Sequence, residues 1–174
     1  MTAPGPGRET DPGRATDPGA IDLRPLFSPT SIAVVGASPR SWIAETVRDN
    51  LRMMESATRC YFVNPKYTEL HGQPCYPSLE ALPERPDIAL VALNPLRAAM
   101  VTRDAAAAGV PAVIIPGGGV VEGGAAAAAM QEEVAEIARR HGIALVGPNC
   151  MGVVDFTANS ASYIGDVSPH LPRG

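Results

Sequence analysis

From Leu26 onward, short apolar runs alternate with longer stretches of helical periodicity. The run at 31–35 (SIAVV) predicts a buried strand. The stretch 42–54 follows as a helix, with Ile43, Val47, Leu51 and Met54 sharing one face at helical spacing. A second strand is predicted at 60–63, closed by Asn64-Pro65, and a third at 87–93 (DIALVAL). An Ala-rich helix over 95–108 stops at Gly109, and a fourth strand follows at 112–115. A further helix over 125–141 ends at Gly142, and a fifth strand runs from 143 to 146 before Gly147-Pro148. Continuous apolar strands separated by helices imply parallel strands covered on both faces. The expected architecture is an α/β fold of Rossmann-like, doubly wound type. It has a mainly parallel five-stranded sheet with helices on both faces.

The first 24 residues break this pattern. Thr10-Asp11-Pro12-Gly13 recurs as Thr16-Asp17-Pro18-Gly19, and the stretch is mostly Pro, Gly and polar residues. It cannot bury enough apolar surface to offset its ordering entropy, so 1–24 is expected to be a disordered tail. One domain is expected over 25–158, with 159–174 a linker toward a second domain. Aromatic residues are only 5 % of the chain, so Ala, Val, Ile and Leu must build the core, which favours close helix–sheet packing. A net charge of −4 argues against a nucleic-acid partner, which would call for a basic stripe. No apolar run approaches the roughly 18 residues of a membrane span, and no signal-peptide pattern opens the chain. Cys60, Cys75 and Cys150 form no CxxC pair, and His71, His141 and His170 have no metal-ligand spacing. A cytoplasmic protein without a metal is expected.

Ligands of doubly wound sheets bind outside the carboxyl ends of the strands, so the loops there carry the candidate chemistry. After the first strand comes Gly36-Ala37-Ser38-Pro39-Arg40-Ser41. Small residues before a helix let backbone N–H groups approach a phosphate. Ser38 and Ser41 add hydroxyl donors, and Arg40 adds charge. The dinucleotide pattern GxGxxG is missing, since Ser38 and Ser41 occupy its second and third glycine positions. After the second strand stands Lys66, where an NAD protein would place a carboxylate for the ribose; a cation there suits a phosphorylated ribose instead. Asn94-Pro95 follows the third strand and Pro116-Gly117-Gly118-Gly119 the fourth, where glycines admit close backbone approach to a ligand. The fifth is Gly147-Pro148-Asn149-Cys150-Met151-Gly152. No histidine is placed to activate Cys150, which therefore reads as structural. The other loops have plain readings too: Ser41 as a helix cap, Lys66 as a solvated side chain, Asn94-Pro95 as a helix start and 116–119 as a loose turn.

The ordered series SIAVVGAS, YFVNPK, HGQPCYPSLEALPERPDIALVAL, VIIPGGG and GIALVGPNCMGVVD resembles the coenzyme A-binding domain of NDP-forming acyl-CoA synthetases. That group includes ADP-forming acetate–CoA ligases, the alpha subunit of succinyl-CoA synthetase, and protein lysine acetyltransferases with a synthetase-like region. The resemblance covers about residues 25–158. It implies CoA held at the carboxyl edge of the sheet, with Gly36, Ala37, Ser38 and Ser41 around the phosphates. It also implies a CoA contact from Lys66 and a border to the pantetheine arm from Pro116, Gly117 and Gly118. Arg40 and Asn94 complete the expected ligand set, and no catalytic residue is expected. Ala44, where relatives carry Gly, Asn94-Pro95 for Val-Pro, and Gly119 for Phe depart from the pattern. The family's phosphohistidine and nucleotide-grasp domains have no counterpart in these residues. The expected partners are therefore CoA or acyl-CoA and the remaining ligase domains or subunits. Two alternatives stand beside this one: a separate CoA- or acyl-CoA-sensing regulatory module, linked to a protein acetyltransferase, and an NAD-dependent oxidoreductase domain.

Overall fold

Residues 20–117 and 124–168 are described by a computed structural model. Five strands lie side by side in parallel: β1 (Ser31–Val35), β2 (Arg59–Val63), β5 (Ile88–Val91), β6 (Ala112–Pro116) and β7 (Ala144–Cys150). They are the five strands expected from the apolar runs. Two short strands extend the edge beyond β2: β4 (Gln73–Tyr76), parallel to it, and β3 (Glu69–Leu70), antiparallel to β4. The sheet therefore has seven strands in the order β3-β4-β2-β1-β5-β6-β7. The two additions were not expected, because segments of two and four residues with mixed exposure carry no readable period.

Side chains of a strand point alternately to the two sheet faces, and here both faces are covered. Ala33, Ala89, Val91, Val113 and Ile115 face α3 (Ala98–Ala107) and α4 (Ala125–His141). The helices answer with small or branched residues, Val101 and Ala105 from α3, Val134 and Ala138 from α4. On the opposite face Ile32, Val34, Phe62, Leu90 and Ile114 pack on Ala44, Val47 and Leu51 of α2 (Trp42–Met53). Alanines on both partners let α3 and α4 lie close to the strands, as the scarcity of aromatics requires. Ser41 caps α2 by accepting from the Ala44 N–H, and α4 ends at Gly142 with φ of 64°.

The chain ends of the domain also fold. Helix α1 (Arg24–Phe27) buries Leu26 against the α2 face. A hairpin of β8 (Gly152–Asp155) and β9 (Ser160–Tyr163) follows β7. Ile164 and Val167 are buried beyond it. Residues 160–167 of the stretch expected as a linker therefore pack on the domain. Of the expected tail, residues 1–19 lie outside the described residues.

The strand order sets the position of a cleft. From β1 the chain moves outward to β2 and β4, then returns across β1 to β5 and continues to β6 and β7. The connections leaving β1 and β5 therefore diverge at their carboxyl ends, which is the topological switch point where such sheets open a crevice.

Candidate functional site

A cleft of about 650 Å³ opens at that switch point, lined by the segments that follow β2, β1 and β5. Its floor depends on Gly36. The residue has φ of 91°, and its N–H donates to Val63 O at 2.8 Å, tying the end of β1 to the end of β2. A Cβ at this position would run into the Leu93 side chain, which lines the cleft from the β5 side. Glycine is therefore required both for the left-handed backbone and for the close approach of the two walls.

The β2 wall is organised by Asn64. Its side-chain amide donates to Ala37 O at 2.7 Å, and its Oδ1 accepts from the Lys66 N–H at 3.0 Å. Its own N–H donates to Tyr76 O at 2.8 Å. One asparagine thus ties together the first loop, the turn carrying Lys66 and strand β4. Lys66 lines the cleft as an exposed side chain with no ion-pair or hydrogen-bond partner among the described residues.

The β5 wall begins with Asn94. Its Oδ1 accepts from Leu96 N–H at 3.0 Å, and its carbonyl accepts from Arg97 N–H at 2.8 Å. These bonds shape a single 3₁₀ turn, Pro95–Arg97, immediately before α3. Arg97, Met100 and Asp104 then line the cleft, and Ser78, Leu79 and Glu80 face it from the segment after β4. The Glu80 carboxyl lies below its usual range because its own backbone N–H and then the Ser78 hydroxyl bond the ionised form.

Of the ten ligand residues expected from sequence, Gly36, Ser38, Lys66 and Asn94 line this cleft. Ala37 sits buried just beneath it, held through its carbonyl by Asn64. Ser41 caps α2, and Arg40 is exposed outside the lining. Pro116 and Gly117 belong to a neighbouring structural unit. Pro116 pairs with Cys150, and Gly117 N–H donates to Cys150 O at 2.8 Å. A Cβ on Gly117 would strike the Asn149 amide oxygen. Gly118 lies outside the described residues. Asn64, Ser78, Glu80, Arg97 and Asp104 escaped the sequence reading. For Asn64 the signal was present in VNPK, an Asx residue two positions before the lysine it turns.

None of the three thiols is set up as a nucleophile. Cys60 reaches the surface in part, yet the protein around its sulfur desolvates it and pushes it up to about 12. Burial also raises Cys75 and Cys150. The Cys150 thiol lies 3.3 Å from Ile115 O, as a packed structural group would. Among the described residues no helix is long and apolar enough to cross a membrane.

A family model described as a CoA binding domain matches residues 30–155. The ADP-forming acetate–CoA ligase I of Archaeoglobus fulgidus is 34 % identical over 149 residues, covering 85 % of this chain and 22 % of that protein. The alpha subunit of the ADP-forming acetate–CoA ligase II of Pyrococcus furiosus is 30 % identical over 141 residues, covering 79 % of this chain and 30 % of the subunit. Among solved structures, the apo form of the dinucleotide forming acetyl-coenzyme A synthetase 1 of Ca. Korarchaeum cryptofilum superposes with a TM-score of 0.74 at 31 % identity. That match covers 83 % of this chain and 31 % of the other. The chain thus spans between about a fifth and a third of the length of these relatives.

Proposed function

The chain belongs to the CoA-binding domain family, and from that premise we propose that its switch-point cleft holds coenzyme A as the CoA-binding part of an NDP-forming acyl-CoA synthetase. The observation that carries this reading is coincidence: every residue lining the cleft, from Val35 to Asp104, falls inside the matched stretch 30–155. The chemistry of the lining agrees. Ser38 and Lys66 supply a hydroxyl and a cation for phosphate. Leu79, Leu93, Met100 and Val101 supply apolar surface for a base. Glu80 and Asp104 supply acceptors for an exocyclic amine. Of the glycine loop, Gly36 and Ser38 face the phosphates in this reading, with Ala37 packed beneath them. Pro116 and Gly117 border the outgoing pantetheine arm in this reading.

In an NDP-forming synthetase a histidine carries the phosphoryl group of a nucleoside triphosphate to the acid, releasing the diphosphate. The thiol of CoA then attacks the carbonyl carbon of the acyl phosphate, forming the thioester and releasing inorganic phosphate. This chain's share is to grip the nucleotide end of CoA and present the thiol. The relay belongs to other domains or subunits, which are the proposed partners. Three free thiols raised by burial suit a reducing cytoplasm.

Calorimetric titration tests the reading. CoA is expected to bind saturably, dephospho-CoA more weakly, and NADH weakest. Absence of CoA binding by the folded chain, or NADH binding tighter than CoA, overturns it.

A further inference from the structure

We infer that Arg97 is a second phosphate-holding cation of this cleft, gripping the pyrophosphate of coenzyme A while Lys66 serves the ribose 3′-phosphate. The inference rests on the coenzyme A reading above. Two cations line the cleft, Lys66 and Arg97, and neither side chain has a hydrogen-bond or ion-pair partner among the described residues. Arg40, the cation expected from sequence to serve the phosphates, is not among the lining residues.

Electrostatics requires more than one direct cation contact. Glu80 and Asp104 line the same cleft and offset the two positive charges, so no net positive field draws in a polyanion. Each phosphate group must therefore be held by local, charge-assisted hydrogen bonds, for which a guanidinium fork is the better donor set. Placement separates the roles. Lys66 follows β2 and Arg97 follows β5, on either side of the Gly36 loop that follows β1. Adjacent strands lie about 4.8 Å apart, so the two strands that lead into these residues, with β1 between them, are about two spacings, or 10 Å, from each other. An elongated ligand lying along this edge meets them with different groups. The ribose belongs at the β2 end, where doubly wound sheets read it, which leaves the pyrophosphate over β1 and toward β5. The Asn94 bonds that shape the 3₁₀ turn fix the backbone from which Arg97 reaches in.

Wild type, Arg97→Met and Lys66→Ala are titrated with CoA, dephospho-CoA and pantetheine, with thermal melts alongside. Arg97→Met is expected to weaken CoA and dephospho-CoA alike, by about tenfold or more, and to leave pantetheine unchanged. Lys66→Ala is expected to weaken CoA more than dephospho-CoA. Arg97→Gln repeats the measurement if the methionine variant does not fold. Wild-type affinity for CoA in the folded variant, or a loss confined to CoA, overturns the role given to Arg97. If wild type itself fails to bind CoA, the functional reading falls and this inference with it. Wild-type binding with an unaffected Arg97 variant removes this inference alone.

Discussion

Lys66 is the only lysine in the chain, so no neighbouring lysine replaces it. Its turn is set by Asn64, while its own side chain is exposed and makes no described bond. A charge-assisted hydrogen bond to phosphate is worth about 1.5–3 kcal/mol, and tenfold in affinity corresponds to about 1.4 kcal/mol. Lys66→Ala is accordingly expected to weaken CoA binding by roughly ten- to a hundredfold. It should change folding stability by no more than about 0.5 kcal/mol, as for other surface positions. Lys66→Glu should bind more weakly still, through repulsion. Titrations with matched urea melts check this; unchanged affinity in a folded Lys66→Ala protein makes the lysine a solvated bystander. Lys66 was legible because it directly follows an apolar run, so its strand-end position can be counted off the sequence. Arg97 was not. Its place in the lining depends on a 3₁₀ turn set by Asn94 bonds, and nothing in Asn-Pro-Leu-Arg announces that turn in place of a regular helix start.

At the level of elements, long apolar runs and helical periods were readable, and short polar elements were not. β3, β4 and the β8–β9 hairpin are held by neighbours more than by their own composition. Asn50 shows how. It lies on the buried side of α2, beside Val47 and Leu51, and is only 3 % exposed. Its amide donates to Tyr163 O at 3.0 Å and Gly165 O at 2.8 Å. Its Oδ1 accepts from Val167 N–H at 3.0 Å. The helix thereby fastens the strand end of the hairpin and the segment after it. A polar residue three positions after Val47 on a core-facing helix was the available signal, but its partners lie more than a hundred residues away in sequence. Asn50→Ala and Asn50→Leu both strand these three backbone groups, so each should cost about 2–4 kcal/mol. Urea denaturation measures this. A loss below about 0.5 kcal/mol, the range of ordinary surface substitutions, would mean that the segment holds without the clip. The same view explains the GPNC stretch. It reads as a turn in sequence, yet β7 runs on through it to Cys150 with a shift in register against β6. Gly147 has φ of 100°, and a Cβ there would meet the Ile115 carbonyl, so the bulge depends on glycine.

Across the whole molecule, topology followed from alternation, because a strand–helix pattern with two buried faces leaves few arrangements. Ionisation is a property of the assembled packing, which no single run of sequence displays. All three thiols are raised by burial, Cys60 most, from an ordinary 9.0 to about 12. The desolvation of Cys60 outweighs the nearby Arg48 charge, which acts in the opposite direction. The sign for stability follows from linkage. Below pH 9 the thiol is protonated in both folded and unfolded chains and pH has no effect through it. Above pH 9 the unfolded chain releases its proton while the folded chain holds on, so the unfolded state is favoured increasingly until about pH 12, where the folded thiol also ionises. Stability contributed by the neutral thiol is therefore fully present at neutral pH and lost across that alkaline window. Urea midpoints measured from pH 7 to 10.5 should fall above pH 9 in the wild type. Cys60→Ala, which removes the titrating group, should fall less steeply over the same range, whatever its stability at pH 7. Parallel curves for the two proteins would mean that the Cys60 sulfur is hydrated in solution and ionises as freely in the folded chain as in the unfolded one.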